Sequence, residues 1–248
     1  QFVGCGGQAI SLTGSSPFSM GDFAIDGCDL IQCGTAAISG ISISQGIDGK
    51  ITNCTLSRCG PNDSAYTSLA LSSCLKIFCN NIDILDNNAL TNYIGIDLSS
   101  VAQSQVRDSR IRNAILTNAA ATARGIRLGE GSTGNEIYGC TISGLAAPAA
   151  VDGLLITGSS TDNLIKECFV VSCTSTGANS SAIVHGYNLQ SSSRNTILNS
   201  IAERNTAPSS TAAPLPAAGA FGFELNNAND CVIKDCIATA QSTGSSSN

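Results

Sequence analysis

Gly95-Ile96-Asp97-Leu98 is the clearest copy of the pattern that decides the fold: a small residue, then an apolar, a variable and another apolar residue. The pattern returns at Gly125-Ile126-Arg127-Leu128, Gly153-Leu154-Leu155-Ile156, Gly186-Tyr187-Asn188-Leu189 and Gly222-Phe223-Glu224-Leu225. Weaker copies begin at Ala9, Gly40 and Ser68. The glycines of the clear copies follow one another by 30, 28, 33 and 36 residues. A repeat of this period is typical of chains built from stacked supersecondary units.

A second signature follows each copy: an apolar residue, a small or polar residue three positions on, and often an apolar residue two further. We read its copies as Ile25/Cys28/Leu30, Ile51/Cys54/Leu56, Ile77/Asn80/Ile82, Val106/Ser109/Ile111, Ile137/Cys140/Ile142 and Ile165/Cys168/Val170, with degenerate copies at Ile197 and Ile233. The offset to the next copy is 11 or 12 residues after Gly40 and after each of the five clear glycines, whereas it is 9 from Ser68 to Ile77 and 16 from Ala9 to Ile25. One half of the unit is therefore nearly constant, and the other half absorbs the variation in length.

Each signature alternates apolar and polar residues with period two over about 3–5 residues, which predicts short strands and no helices. Short strands that return at a fixed spacing must coil, because one turn alone cannot bury its apolar face whereas stacked turns share a core. We therefore expect an all-β solenoid of about eight coils, rising about 4.8 Å per coil.

With this pattern the chain resembles the right-handed parallel β-helix family, which includes pectate lyases, polygalacturonases, phage tailspikes and many surface proteins. The resemblance covers nearly all of residues 1–248 and implies a single domain, either part of a longer solenoid or one unit of an assembly. An antiparallel β-sandwich is the competing interpretation. It explains the repeat less well, because sandwich strands do not keep one half of a unit constant.

Composition excludes several classes of function. The chain has 12% charged residues and a net charge of −6, which argues against the clustered Lys and Arg of a nucleic-acid interface. No apolar run approaches the ~18 residues of a membrane span. The sequence begins without Met or a secretory signal pattern, so we interpret it as a processed product or a fragment. We expect a secreted or cell-surface protein.

Ten of the 12 cysteines are spaced five positions apart in the sequence, as Cys28/Cys33, Cys54/Cys59, Cys74/Cys79, Cys168/Cys173 and Cys231/Cys236. Five of the 12 share one place in the second signature and are expected to stack: Cys28, Cys54, Cys140, Cys168 and Cys236. Equivalent Cβ atoms in adjacent coils lie about 4.8 Å apart, and a disulfide needs about 3.8 Å. Buried thiols are therefore favoured, with disulfides within the pairs as the alternative. The spacing and the single His argue against structural zinc, and we predict no metal and no cofactor.

The variable position of the first pattern predicts an outward-facing column that could bind a glycan. Its members are Ser42, Ala70, Asp97, Arg127, Leu155, Asn188 and Glu224, and its polar members Asp97, Arg127, Asn188 and Glu224 are the candidate binding residues. Asp97 and Glu224 are four coils apart, about 19 Å, which is too far for a glycosidase carboxylate pair. We read Asp97 and Arg127 as an exposed ion pair.

The other charged residues do not complete an active site. Asp152 and Glu130 could approach the same face from turns, with Arg124 nearby, and we interpret His185 as a polar residue at a strand entrance. The catalytic residues are therefore not identified, and the sequence favours a non-enzyme.

These observations leave three functional hypotheses open. The leading one is a non-catalytic extracellular or surface solenoid that assembles end to end into a filament or acts in adhesion, because no capping helix is evident at either end. The second, implied by the family resemblance, is a polysaccharide lyase or glycoside hydrolase acting on an acidic glycan. The third is a trimeric receptor-binding fibre or tailspike segment.

Overall fold

The computed structural model describes residues 1–3, 9–15, 19–33, 39–59, 65–87, 89–177, 182–208 and 219–244. Within these ranges the chain forms 29 strands, numbered β1 to β29 along the sequence. All of their pairings are parallel. No helix in the described part has the length and hydropathy of a transmembrane segment.

The strands form four parallel sheets. The front sheet has eight strands: β2 (Ile10–Thr13), β6 (Ile41–Ser44), β9 (Tyr66–Ser72), β11 (Asn92–Ser99), β14 (Thr122–Gly129), β18 (Ala150–Ile156), β22 (Ile183–Gln190) and β26 (Gly219–Asn226). The back sheet has 15: β1 (Phe2–Val3), β4 (Ala24–Asp26), β5 (Asp29–Ile31), β8 (Lys50–Ser57), β10 (Phe78–Leu85), β12 (Gln105–Arg107), β13 (Arg110–Arg112), β15 (Glu136–Tyr138), β16 (Thr141–Ser143), β19 (Leu164–Lys166), β20 (Phe169–Val171), β23 (Thr196–Leu198), β24 (Ile201–Glu203), β27 (Val232–Lys234) and β28 (Ile237–Thr239). A corner sheet contains β17 (Ala146–Ala147), β21 (Thr174–Ser175), β25 (Thr206–Pro208) and β29 (Ser242–Gly244), and β3 (Met20–Gly21) pairs with β7 (Gly46–Ile47).

The parallel pairing confirms the β-helix and excludes the antiparallel sandwich. Of the eight front-sheet strands, β2 and β26 each have a neighbour on one side only. About six turns are therefore covered on both sides, and the expected number of about eight coils is slightly too high.

Register places equivalent residues of the repeat on top of one another in the core. One inward column of the front sheet runs through Ile41, Leu69, Ile96, Ile126, Leu154, Tyr187 and Phe223. The back sheet supplies Ile25, Ile51, Cys79, Val106, Ile137, Ile165, Ile197 and Ile233. The aromatic rings of Tyr187 and Phe223 stack at 4.8 Å between centroids. Large side chains repeated in this way build a continuous apolar column.

One coil of the second signature differs from the sequence interpretation. In register, Cys79 pairs with Ile51 and Ile82 with Cys54, so this coil reads Cys79/Ile82/Ile84 instead of Ile77/Asn80/Ile82. Cys79 is fully buried and behaves as a small apolar residue, which is why the apolar pattern misplaced it. Ser68 to Cys79 is 11 residues, so the correction also removes the irregular offset of this coil and leaves only Ala9 to Ile25 outside the range.

The cysteine stack lies at the corner inside the back sheet. Hydrogen bonds between coils place the five cysteines predicted to stack at equivalent positions. Ile82, Ser109 and Ser200 occupy that position in the remaining coils. The 11 cysteines in the described ranges form no disulfide with one another, and Cys5 lies outside those ranges. Burial raises the pKa of Cys54 to about 11, as expected for a thiol packed as a core side chain.

A second internal column is polar and fully hydrogen-bonded. Asn135, Asn163 and Asn195 are at most 1% exposed and form a ladder. The Oδ1 of each of the last two accepts the backbone N–H and the side-chain amide of the asparagine one coil before it, all at 3.0 Å. Buried amides are tolerated only when paired, so this ladder holds the coils in one register.

Candidate functional site

The repeated glycine creates two outward columns on the front sheet. In β14, Gly125 and Ile126 both face inward, so the residues on either side of that pair, Arg124 and Arg127, both face outward. A Cβ on Gly125 would lie 2.5 Å from the backbone oxygen of Gly153 and 2.6 Å from Ile142, so only glycine fits there. The near column is Arg124, Asp152, His185 and Phe221, and the far column is Asp97, Arg127, Leu155, Asn188 and Glu224.

The imidazole of His185 lies between two carboxylates contributed by neighbouring coils. Its Nδ1 is 2.8 Å from Asp152 Oδ1, and its Nε2 is 2.7 Å from Glu224 Oε2. A ring nitrogen must carry a proton to donate to a carboxylate, so two such contacts require two protons shared among the three groups. The arrangement is a proton-holding chain that runs from buried Asp152 to Glu224, whose side chain is 33% exposed.

Asp152 anchors the inner end of this chain. Its side chain is 8% exposed, and Asp152 Oδ1 also accepts a hydrogen bond from the Asn188 amide at 3.0 Å. Burial opposes ionisation of Asp152, but the hydrogen bond and charge of His185, the Asn188 amide and the Arg124 charge together lower its pKa. Asp152 is therefore an ionised orienting group and cannot serve as a proton donor.

Two buried polar atoms at this site have no partner in the described structure. Arg124 Nε lies 3.6 Å from Asp152 Oδ2, outside hydrogen-bond distance, and Asn188 Oδ1 accepts nothing. Buried polar groups are nearly always hydrogen-bonded. The unpaired acceptor on Asn188 lies on the same strand as His185, and the unpaired donor on Arg124 lies two coils from His185, beside Asp152.

An aromatic side chain borders the same cluster. Phe221 stacks on the His185 ring at 5.5 Å between centroids and is 41% exposed. An exposed aromatic face beside polar groups suits a sugar ring, which has both apolar and hydroxyl-bearing surfaces.

Asp97 and Arg127 form the expected ion pair, with more burial than expected. Arg127 Nε and one terminal nitrogen each contact a carboxylate oxygen of Asp97 at 2.8 Å, and the side chains are 23% and 13% exposed. The hydrogen bonds to Asp97 raise the pKa of Arg127 above its usual range. Because each group satisfies the other, the pair is self-contained, and Leu155 separates it from the cluster in the far column.

The same outward positions are uncharged in the earlier coils. Ser42 and Ala70 precede Asp97 in the far column, and Thr67 stands two coils before Arg124 in the near column. The front sheet therefore folds with small neutral residues at these positions. The fold does not need the charged cluster, which is confined to β11 through β26.

The structure gathers some of the residues considered from sequence and separates others. Asn188 and Glu224 lie together at the cluster, while Asp97 and Arg127 stand apart from it on the other side of Leu155. Asp152 comes from a strand and not from a turn, and His185 lies within β22 as the centre of the cluster. His185 is the third residue of β22, near the start of the strand as expected, and its imidazole contacts the carboxylates of Asp152 and Glu224.

A repeat-based signal for this cluster exists in the sequence. The residue directly before each repeated glycine is Ile94, Arg124, Asp152, His185 or Phe221. Strict period-two alternation hides this column, because the bulge keeps the glycine and the residue after it both facing inward, so that the residues on either side of this pair face outward. Among the described residues, no group of three or more His, Cys, Asp or Glu side chains has the arrangement of a metal site.

Comparison with known proteins identifies similar folds. The model of the right-handed β-helix region matches residues 1–170 and 39–247. No curated protein sequence matches the chain.

The solved structures that match the chain include an alginate epimerase and two mannuronan C-5 epimerase modules. A double mutant of the periplasmic alginate epimerase AlgG is 9% identical, with 92% of this chain and 76% of that chain covered and a TM-score of 0.26. The A-module of the Azotobacter vinelandii mannuronan C-5 epimerase AlgE6 is 9% identical, with 94% and 84% covered and a TM-score of 0.20. The corresponding module of AlgE4 is 10% identical, with 96% and 84% covered and a TM-score of 0.18. At these values the similarity assigns no activity to this chain.

Proposed function

We propose, for a chain that belongs to the right-handed β-helix family, that the front sheet carries an acid–base site acting on an acidic glycan. The observation that carries the proposal is the His185 imidazole held between the carboxylates of Asp152 and Glu224. One fold hosts many functions, so the argument depends on this site and not on the fold.

The geometry favours proton abstraction over hydrolysis. Hydrolysis of a glycosidic bond needs two carboxyl groups that both reach the substrate. Asp152 is buried and ionised, so only Glu224 and the adjacent Nε2 of His185 are available to a substrate. A single acid–base group suits removal of a proton from the carbon that bears a sugar carboxylate.

A neighbouring group would bind another carboxylate of the same polymer. The Arg124 guanidinium lies two coils from His185, about 10 Å at the strand spacing, which is too far for the carboxylate at the reacting carbon and suits that of a nearby sugar residue. In elimination, Glu224 takes the proton, the C–H electrons form a C=C bond, and the adjacent C–O bond breaks with its oxygen protonated by water. Asp152 would fix the orientation of the His185 ring, and His185 would in turn hold Glu224 in position throughout the reaction.

The test uses the full chain and a panel of polyuronates: alginate, polygalacturonate and glucuronan. Ultraviolet absorbance of the unsaturated product reports elimination, and incorporation of solvent deuterium reports proton exchange without bond cleavage. Glu224→Gln and His185→Gln should each lower the rate by about 10²–10⁴. The matched control is Glu203→Gln on the back sheet, which should leave the rate unchanged. Absence of product and exchange on all three polymers contradicts the proposal.

A second candidate function is end-to-end assembly, and one observation favours it. Leu225 in the last front-sheet strand is 46% exposed, whereas Leu189, its register partner one coil earlier, is fully buried. Val232 and Ile237 on the last coil of the back sheet are 48% and 50% exposed. Exposed core positions beside an unpaired strand edge invite another coil.

We propose that a second copy of the chain binds this end. The assembly would form at the cell surface or outside the cell. Light scattering across a concentration series should show mass that grows with concentration in the parent and falls in Leu225→Lys. A constant monomer mass contradicts assembly, and a fixed trimer mass favours the fibre hypothesis instead.

A further inference from the structure

The turns that leave the front sheet differ in length, and the difference forms a step on the surface. Leu128, Ile156, Leu189 and Leu225 are in register, and so are the bridge residues that follow them: Thr133, Thr161, Ser193 and Asn229. From the strand residue to the bridge residue, the chain advances by five positions in the coils of Leu128 and Ile156, and by four in the coils of Leu189 and Leu225. The longer turns contain two consecutive left-handed residues, such as Gly158 and Ser159, and the shorter ones contain one, such as Ser191.

A cleft of about 220 Å³ lies at this step. One wall is formed by Ser159 and Thr161 of the longer turn, and the other by serines 191–193 together with Asn227 and Asn229. At about 30 Å³ per water molecule, the cleft holds roughly seven waters, which is the size of one sugar ring.

Ser192 points to a missing ligand in this cleft. The equivalent serines one and two coils earlier each have a backbone carbonyl as acceptor: Ser160 Oγ lies 2.6 Å from the Thr157 oxygen, and Ser132 Oγ lies 2.8 Å from the oxygens of Leu98 and Gly129, one of which accepts its proton. Ser192 is 4% exposed, lines the cleft, and its hydroxyl has no partner in the described structure. In the shorter turn the carbonyl three residues back belongs to Leu189, inside the strand, so the donor pattern of the longer turns is lost.

The chemistry of the walls selects the class of ligand. Every lining side chain carries a hydroxyl or a carboxamide, and none carries a formal charge. The nearest charged pair, Arg194 and Asp162, is mutually satisfied by two hydrogen bonds of 2.8 and 2.7 Å. Hydroxyl and amide groups both donate and accept, as the hydroxyls of a neutral sugar do.

We propose that this cleft binds one uncharged sugar residue, and that the Ser192 side chain, whose unpaired hydroxyl is buried in this structure, turns about χ1 to hydrogen-bond the sugar. The cleft begins three residues beyond Asn188 and Glu224 on the same strands, about 10 Å from the acid–base cluster. The proposal depends on the lining residues and the geometry of the cleft, and it does not require activity at His185.

Saturation-transfer NMR on the full chain tests the proposal with the methyl glycosides of glucose, galactose and mannose, and with glucuronate as the charged probe. At least one neutral glycoside should receive saturation, and glucuronate should receive less. Ser192→Ala should weaken binding about tenfold, as expected for one lost hydrogen bond, and Asn229→Trp, which fills the cleft from an exposed position, should abolish it.

The matched control is Ser132→Ala, the same substitution in a coil without the cleft, which should leave binding unchanged. Circular dichroism confirms that each variant is folded. Absence of saturation transfer to all three glycosides, glucuronate binding that is as strong as theirs and is likewise abolished by Asn229→Trp, or equal binding by the Ser192 and Ser132 variants overturns the proposal. None of these readouts depends on turnover, so they are independent of the Glu224 experiment.

Discussion

Gly125→Ala is the sharpest test of how the repeat produces the fold. The added Cβ would lie 2.5 Å from the Gly153 backbone oxygen and 2.6 Å from the Ile142 side chain. Ordinary contact begins at 3.4 Å, so about 0.9 Å of overlap must be relieved against the backbone. That backbone belongs to the next coil, and relieving the overlap would push apart two strands of the front sheet.

The expected loss follows from this overlap. Overpacking a close-packed interior destabilises by roughly 1–3 kcal/mol. Because a backbone atom is in the way and cannot change rotamer, we expect the upper end, about 3 kcal/mol. Gly129 is on the same strand, and its Cβ would meet nothing nearer than Arg127 at 3.6 Å, so Gly129→Ala should change stability by less than about 0.5 kcal/mol.

Urea denaturation followed by circular dichroism gives the two free energies of unfolding. Repeat arrays can unfold in parts, so the hydrogen exchange of the β14 amides is also measured. Exchange should be faster in Gly125→Ala than in Gly129→Ala. If the Gly125 and Gly129 variants unfold within about 0.5 kcal/mol of each other, the glycine column does not hold the coils in contact and the reasoning is refuted.

Two further predictions concern the interior. Asn163→Ala should lower the free energy of unfolding by about 2–5 kcal/mol, because it leaves the buried N–H of Asn135 and the carbonyl of Ser132 unpaired; the outward Asn80→Ala is the control, and equal effects in urea denaturation would contradict the ladder. Burial raises the pKa of Cys54 to about 11 and of Cys173 to about 12, above the usual 9.0. The folded state therefore holds these protons more tightly, so stability is fully present below about pH 9 and is lost as pH rises towards 11–12. A urea midpoint that stays constant from pH 8 to about 11 under reducing conditions would contradict this.

The fold could be predicted from sequence because the repeat constrains it several times over. Glycine spacing, Ile-rich alternation and the recurring offset of 11 or 12 residues all describe the same coil. The one misplaced coil, at Ile77, arose because Cys79 was not counted as the apolar member of its signature. Register in a solenoid depends on such side chains, and a thiol that packs like Ile is not distinguished by an apolar pattern alone.

The site was harder to predict, because it depends on a local departure from alternation. The far column was correctly aligned from sequence, including Asn188 beside Glu224. The near column, with Asp152 and His185, becomes visible only once Gly153 and Gly186 are known to occupy inward bulges. Contacts between residues 33 and 39 positions apart then follow from stacking.

The most direct test of the central claim uses the only histidine of the chain. Long-range ¹⁵N–¹H NMR of untagged protein gives one set of imidazole signals. If three successive coils bring the three side chains together, Asp152→Asn should shift chiefly Nδ1 of His185 and Glu224→Gln should shift chiefly Nε2. Imidazole signals that stay unchanged in both variants would show that His185 does not lie between these carboxylates.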